Sequence, residues 1–175
     1  MPKPLQIVEL GNPILRMRAR DVEDVNDPAI QVLIGQMIRT CQSANGVGIA
    51  APQVSQLLRL FIMASSPNPR YPDAPKMVPT AIINPIVITY SEQMEGGWEG
   101  CLSIPGIRGI VPRSRSVKVL YTNRRGKNVQ KTFTGFLARI FQHELDHLNG
   151  ILFIDRSDTR SLATEGEFQK RFPVN

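Results

Sequence analysis

Residues 141 to 150 read "FQHELDHLNG" and hold the only two histidines in a chain of 175 residues. His143 and His147 stand four positions apart, with Glu144 directly after the first. On a helix that separation turns the second imidazole by only about 40° and carries it one turn along, so both rings can reach one metal ion. The flanking residues ask for a helix. Leu137, Ile140, Phe141, Leu145 and Leu148 supply one apolar face, and Asn149 with Gly150 forms a stop signal. The spacing therefore predicts a helix from about Gly135 to Leu148 that carries two nitrogen ligands. Glu144 then stands beside the metal, where its carboxylate accepts a proton from water rather than binding the ion.

Upstream, "NDPAIQVLIGQMIRTCQSANG" begins at Asn26 and shows the same kind of signal. Asn26 or Asp27 is the expected cap, Pro28 sits at the first turn, and apolar residues at 30, 33, 34, 37, 38 and 41 make an amphipathic helix that ends near Asn45 and Gly46. Between the two helices lie β-rich runs, "LLRLFIM", "AIINPIVITY", "SVKVLYTN" and "NVQKTFT", the last two joined by the turn-forming "NRRGK". Prolines at 67, 69, 72, 75 and 79 make Ser65 to Pro79 a surface loop. Helix, several strands, then helix is an α+β order: antiparallel strands and hairpins packed around a central metal-binding helix. We read residues 1–175 as one catalytic domain, with a polar tail of weak periodicity over about 157–175.

A formal charge of +6 favours an acidic partner such as an RNA surface, although the Lys and Arg residues are scattered and ask for no specific DNA binding. The first fifteen residues lack a signal-peptide core, and no window approaches the roughly 20 apolar residues of a spanning helix, so no membrane is expected. Two cysteines, Cys41 and Cys101, are poor evidence for a secreted disulfide scaffold and favour a reducing compartment.

A catalytic site of zinc type needs a third protein ligand and an open fourth position. Cys101 in "WEGCLSIPG" offers a soft thiolate in a glycine-flanked turn, while Glu165 or Glu167 would give the carboxylate arrangement of thermolysin-like peptidases. Cys41 continues the apolar stripe of the first helix and reads as a buried small residue. A third segment, "NGVGIAAPQ" from Asn45 to Gln53, is a glycine-punctuated turn followed by small residues and one amide. Taken together and in order, "GVGIAAPQ", "EGCLS" and "QHELDH" resemble the three motifs of the peptide deformylases. The resemblance extends from "ILR" near residue 14, through "INP" at 83–85, to "GILFIDR" at 150–156.

That resemblance implies one divalent metal ion held by Cys101, His143 and His147, with Glu144 as general base and then acid. It implies ferrous iron in cells, with zinc or nickel acceptable to the same ligands. It implies removal of the formyl group from the N-terminal formyl-methionine of nascent chains, with formate released. Oxyanion donors would be the Gln53 side-chain amide and the Leu102 backbone N–H. Val47, Gly48 and Gly100 resemble the edge along which the peptide lies extended. The methionine slot resembles one bordered by Val47, Trp98, Phe136, Arg139, Ile140 and His143. Arg139 departs from many bacterial members, which carry an aliphatic residue there, and either narrows the mouth or lays its alkyl stem over the slot. Arg113 resembles a position near the peptide carbonyls, with a solvated surface arginine as the alternative. Asp146 either orients a ligand or pairs with a nearby arginine. The location implied is the bacterial cytoplasm, or an organellar stroma or matrix if a targeting segment was removed. A ribosome surface is an expected partner, but the short tail lacks the long basic helix that some relatives use for docking. The rival readings are the thermolysin-like peptidase and a noncatalytic RNA-binding module with a structural metal, which would normally want four protein ligands.

Overall fold

The computed structural model describes residues 4–172; the ends of the chain, including the last three residues of the expected tail, lie outside the described residues. Helix α1 runs over Pro28–Ser43. Asp27, not Asn26, is its cap: the carboxylate accepts from the Ala29 N–H at 2.8 Å, and Pro28 occupies the first turn where no donor is needed. Its buried face is Leu33, Ile34, Met37, Thr40 and Cys41.

The next strands are β1 (Gly48–Ala50), β2 (Leu60–Met63) and β3 (Thr80–Tyr90), followed later by β6 (Ser116–Thr122) and β7 (Asn128–Thr134). They form one antiparallel sheet in the order β1-β2-β3-β6-β7. The β6–β7 turn is closed by the Asn123 side chain, which accepts from the N–H groups of Arg125 and Lys127 at 2.8 and 3.1 Å. A second sheet, not expected from the sequence, holds β4 (Met94–Cys101), β5 (Ile104–Ser114) and the two-residue β8 (Ala163–Thr164).

Helix α2 spans Gly135–Leu148 and packs against β1, β2, β6 and β7 of the first sheet and β5 of the second. Phe141 is its main anchor, with Phe61 edge-on at 5.3 Å and Phe133 stacked at 5.5 Å. The helix stops where Asn149 and Gly150 donate to the carbonyls of Asp146 and His147. Gly150 has φ +73°, and a Cβ there would lie 2.5 Å from the Arg16 carbonyl oxygen, so the residue type is set by space as well as by conformation. Within the tail, Glu165–Arg171 forms a short helix, α3, capped by Thr164. No helix among the described residues is long and apolar enough to cross a membrane.

Candidate active site

Cys101 ends β4 at a register shift between Gly100 and Cys101, which turns its side chain out of the ladder toward α2. There it meets the two histidines. The ligand atoms of Cys101, His143 and His147 lie within 4.8 Å of one another, and the Cys101 sulfur is 3.3 Å from His147 Nε2. Glu165, by contrast, bonds Arg108 at 2.8 Å, and among the described residues no carboxylate joins the cluster, so the thermolysin-like arrangement is not present.

His143 is oriented by Glu99, whose Oε2 lies 2.9 Å from His143 Nδ1 and leaves the other ring nitrogen for the cluster. Glu99 is itself clamped. Arg113 grips it through Nε and Nη2, both at 2.9 Å, and Arg139 Nη1 donates to it at 2.9 Å. Burial alone would raise the Glu99 carboxyl, but hydrogen bonds from His143 and Arg113 hold it well below the usual range. Burial likewise raises the Cys101 thiol, yet the charge of His147 and the bonds to both histidines bring it well below its ordinary value. Burial lowers His143, and the bonds to Cys101 and Glu99 overcome this and raise it. The opposite shifts show two groups that favour each other's charged forms, a balance that a divalent cation would take over by displacing protons. One soft thiolate and two imidazoles are a donor set that fits such an ion.

Glu144 is 4% exposed, and its Oε2 has no hydrogen-bond partner among the described residues. Burial pushes its carboxyl up to about 7. The other oxygen faces β1: a Cβ on Gly48 would come within 2.5 Å of Glu144 Oε1, so only glycine lets the strand pass so close. Gln53 is also buried, and its amide is fixed by its acceptor end, which takes the Ala50 N–H at 2.8 Å. Its NH2 therefore points to the cluster, 3.1 Å from Ser103 Oγ and 3.4 Å from the Cys101 sulfur.

A single cavity gathers Val47, Gly48, Gln53, Trp98, Gly100, Leu102, Phe136, Arg139, Ile140 and Glu144 around Cys101 and His143. The family model for polypeptide deformylases matches residues 4–162, which leaves α3 outside the match. Peptide deformylase 2 of Nostoc sp. is 56% identical over 175 residues, covering 99% of this chain and 98% of its own. The chain belongs to the polypeptide deformylase family. A class I type b peptide deformylase from Acinetobacter baumannii, solved with Met-Ala-Ser bound, matches the fold with a TM-score of 0.86 at 47% identity, over 89% of this chain and 99% of that one. A peptide deformylase from Synechococcus elongatus, solved with actinonin, gives a TM-score of 0.80 at 38% identity, over 91% of this chain and 81% of that one. Polypeptide deformylases are metal-dependent hydrolases that remove the formyl group from the N-formylmethionine of nascent peptides, and this chain is such an enzyme.

Within the deformylase site one expected contact is corrected. Arg113 is 4% exposed and is absent from the cavity wall, because its guanidinium is used by Glu99 on one side and Asp146 on the other. It is neither a peptide contact nor a solvated surface group. Asp146 takes the arginine-pairing role, bonding Arg113 and also Arg156 through two contacts of 2.6 Å. Arg139 does border the cavity, but its charge is spent on Glu99, Val111 O at 2.7 Å and Glu95 O at 2.7 Å. Sequence reading missed Glu99, Arg70 and Tyr71. A signal for Glu99 existed: on a strand, a residue two positions before a ligand shares its face. Tyr71 had none, since it arrives from the proline-rich loop, where its hydroxyl accepts the Gly100 N–H at 3.2 Å.

Proposed function

We propose that Cys101, His143 and His147 hold one divalent ion, ferrous iron in cells with zinc or nickel as substitutes, and that Glu144 is the proton carrier of deformylation. The ion, when bound, supplies Lewis-acid polarisation and makes water acidic enough to react near neutral pH. Glu144 takes a proton from the attacking water at Oε2 and returns it to the departing amine nitrogen as the formyl C–N bond breaks, leaving formate and a free N-terminus. The Gln53 amide and the Leu102 N–H donate to the carbonyl oxygen as charge develops on it. The substrate backbone lies along Val47, Gly48 and Gly100, where the Tyr71 hydroxyl yields the Gly100 N–H to it. The methionine side chain enters the slot of Trp98, Phe136 and Ile140, with Arg139 as a fixed border rather than a free charge. The chain works as one catalytic domain in the bacterial cytoplasm or an organelle of bacterial descent, near the ribosome surface, where formylated chains emerge.

The observation that carries the reading is the unpartnered Oε2 of Glu144, buried beside a thiolate and two imidazoles. An orphaned buried oxygen costs free energy that a reacting water repays. Glu144→Gln keeps the size of the side chain but cannot accept a proton. It is expected to keep its metal and fold and to lose turnover by at least about 10² to 10⁴-fold. Formate release from a formyl-Met peptide, with bound metal quantified, tests this; near-normal release by metal-replete Glu144→Gln overturns it.

A further inference from the structure

Between Glu99 and Glu144 the sequence holds no acidic residue and nine Lys and Arg residues. The whole chain carries a formal charge of +6, so the remainder is net negative and the positive charge belongs to this segment. Three of the nine, Arg108, Arg113 and Arg139, are taken up by Glu165 and Glu99. The other six, Arg115, Lys118, Arg124, Arg125, Lys127 and Lys131, are all exposed, and among the described residues none of them joins an ion pair. Cations that look scattered along the sequence are gathered by the fold on one hairpin, β6–β7.

Val117, Val119, Tyr121 and Phe133 of the hairpin belong to the core, so the alternate positions form its outer face. Paired across the two strands, these are Ser116 with Thr134, Lys118 with Thr132, Leu120 with Gln130 and Thr122 with Asn128. All but Leu120 are polar and none is acidic, so the face offers hydroxyl and amide groups over about 20 Å, the length of seven strand residues. At its tip Arg124, Arg125 and Lys127 crowd into the turn closed by Asn123. Arg124 is fastened to the Gln31 side chain and carbonyl at 2.8 and 3.1 Å, bonds that hold its guanidinium without neutralising it. At its base Arg115 borders a hollow with Phe136 and Arg139, two residues that also line the catalytic cavity. The cations therefore run from the rim of that cavity to the hairpin tip.

An edge strand often carries lysine to block pairing with another chain, and β7 is such an edge, which accounts for Lys131. It does not account for Lys118 on the inner strand or for the three cations of the turn. A lipid surface would ask for apolar residues to bury beside the charges, and the tip, "NRRGKN", has none. A nucleic acid asks for cations spread along a polar surface that can bond phosphate and sugar oxygens. The major groove of DNA admits a two-stranded ribbon, but β6 is flanked by β3 as well, and the face is too broad to insert. It suits the wide, shallow minor groove of base-paired RNA, which displays 2′-hydroxyls. We propose that the outer face of β6–β7 binds base-paired RNA, and that RNA at the ribosome surface is its partner. The choice of the ribosome rests on the deformylase reading, because formylated chains emerge there; the chemistry of the face does not.

The test titrates metal-replete protein into a short fluorescent RNA duplex and into a DNA duplex of the same sequence. RNA should bind at least about fivefold tighter, and with about four phosphate contacts its affinity should fall about a hundredfold between about 50 and 200 mM salt. Arg125→Glu/Lys127→Glu should lose at least about tenfold in RNA affinity and flatten the salt dependence, while the turn survives because the Asn123 side chain closes it through backbone N–H groups. Arg18→Glu/Arg160→Glu removes as much net charge from other exposed positions and should lose far less. Gln130→Ala/Thr132→Ala should narrow the preference for RNA over DNA and leave the salt dependence unchanged. Sedimentation with bacterial ribosomes should fall in the hairpin charge variant and not in its control. Equal binding of RNA and DNA, equal losses in the two charge variants, or ribosome binding that survives the hairpin variant overturns the proposal. All variants should release formate from a free formyl-Met peptide as the unaltered protein does. Failure of the unaltered protein to do so would strike the deformylase reading and the choice of the ribosome, while the duplex titrations would still decide whether the face binds RNA.

Discussion

Among the described residues Glu99 bonds His143 and two arginines, so its position decides how far the rest of the charge network can shift. A chain of charges runs from the exposed Arg156 through the buried Asp146, Arg113 and Glu99 to His143. Breaking a buried pair leaves an uncompensated charge and typically costs about 3–5 kcal/mol. In Arg113→Met, Glu99 would still keep Arg139 and Asp146 would keep Arg156, so the loss should fall at the lower end of that range. Denaturant unfolding measures it. Because Arg113 stands behind the cavity and not in its wall, KM for formyl-Met peptides should change little. A stable variant with a sharply raised KM would restore Arg113 to the peptide-contact role that its burial argues against.

Two elements cross so closely that one atom decides whether the Glu144 carboxylate fits. Strand β1 passes α2 at Gly48, and an added Cβ would sit 2.5 Å from Glu144 Oε1 and 2.9 Å from its Cδ. In Gly48→Ala the carboxylate must move, and displacement of a reacting group by about an ångström costs on the order of 10²-fold in rate. The variant should bind metal normally, because the atoms nearest that Cβ all belong to Glu144 and not to Cys101, His143 or His147. Unchanged kcat would show that Glu144 does not work from this position. Both helices were legible in the sequence because their apolar residues recur at 3.6-residue spacing and cap or stop residues flank them; Asp27, one of two candidate caps, and Gly150 mark real ends. The β4–β5 hairpin was not legible. "MEGGWEGC" and "IPGIRGIVPRS" are rich in glycine and poor in alternation, since one strand must admit a guanidinium at Gly97 and a loop at Gly100. The tail helix escaped for another reason: its seven residues depend on Arg108 and Trp98, contacts that no local pattern reveals. The Cys101, His143 and His147 cluster could be read because its residue types are rare in this composition. The charges that orient them were hidden by sequence distance, as with Glu99 and Arg113, which are fourteen residues apart in sequence.

At the scale of the molecule, the Cys101, His143 and His147 cluster joins two sheets that also meet through the ion pairs of Glu99 and Arg113 with residues of α2. Cys101 belongs to the three-stranded sheet, whereas His143 and His147 ride on the helix that packs the five-stranded one. An ion bound by all three is a clip between these layers, and it binds the folded chain far better than an unfolded one. With free metal at a hundred times its dissociation constant, that linkage is worth about 2.7 kcal/mol. For a chain of 175 residues, each kcal/mol moves the melting temperature by about 2–4 °C. Removing the ion with a chelator should therefore lower Tm by about 5–10 °C, and restoring it should return the loss. Cys101→Ala keeps both histidines but loses the tie to β4, so its Tm should be nearly indifferent to the chelator. Cys41→Ala should respond to chelation as the unaltered protein does, because Cys41 lies on the buried face of α1 and outside the metal cluster, although it starts from a lower Tm. Thermal scans of the three proteins with and without metal decide the matter. A chelator shift of equal size in Cys101→Ala would mean that the ion is held by α2 alone and joins nothing.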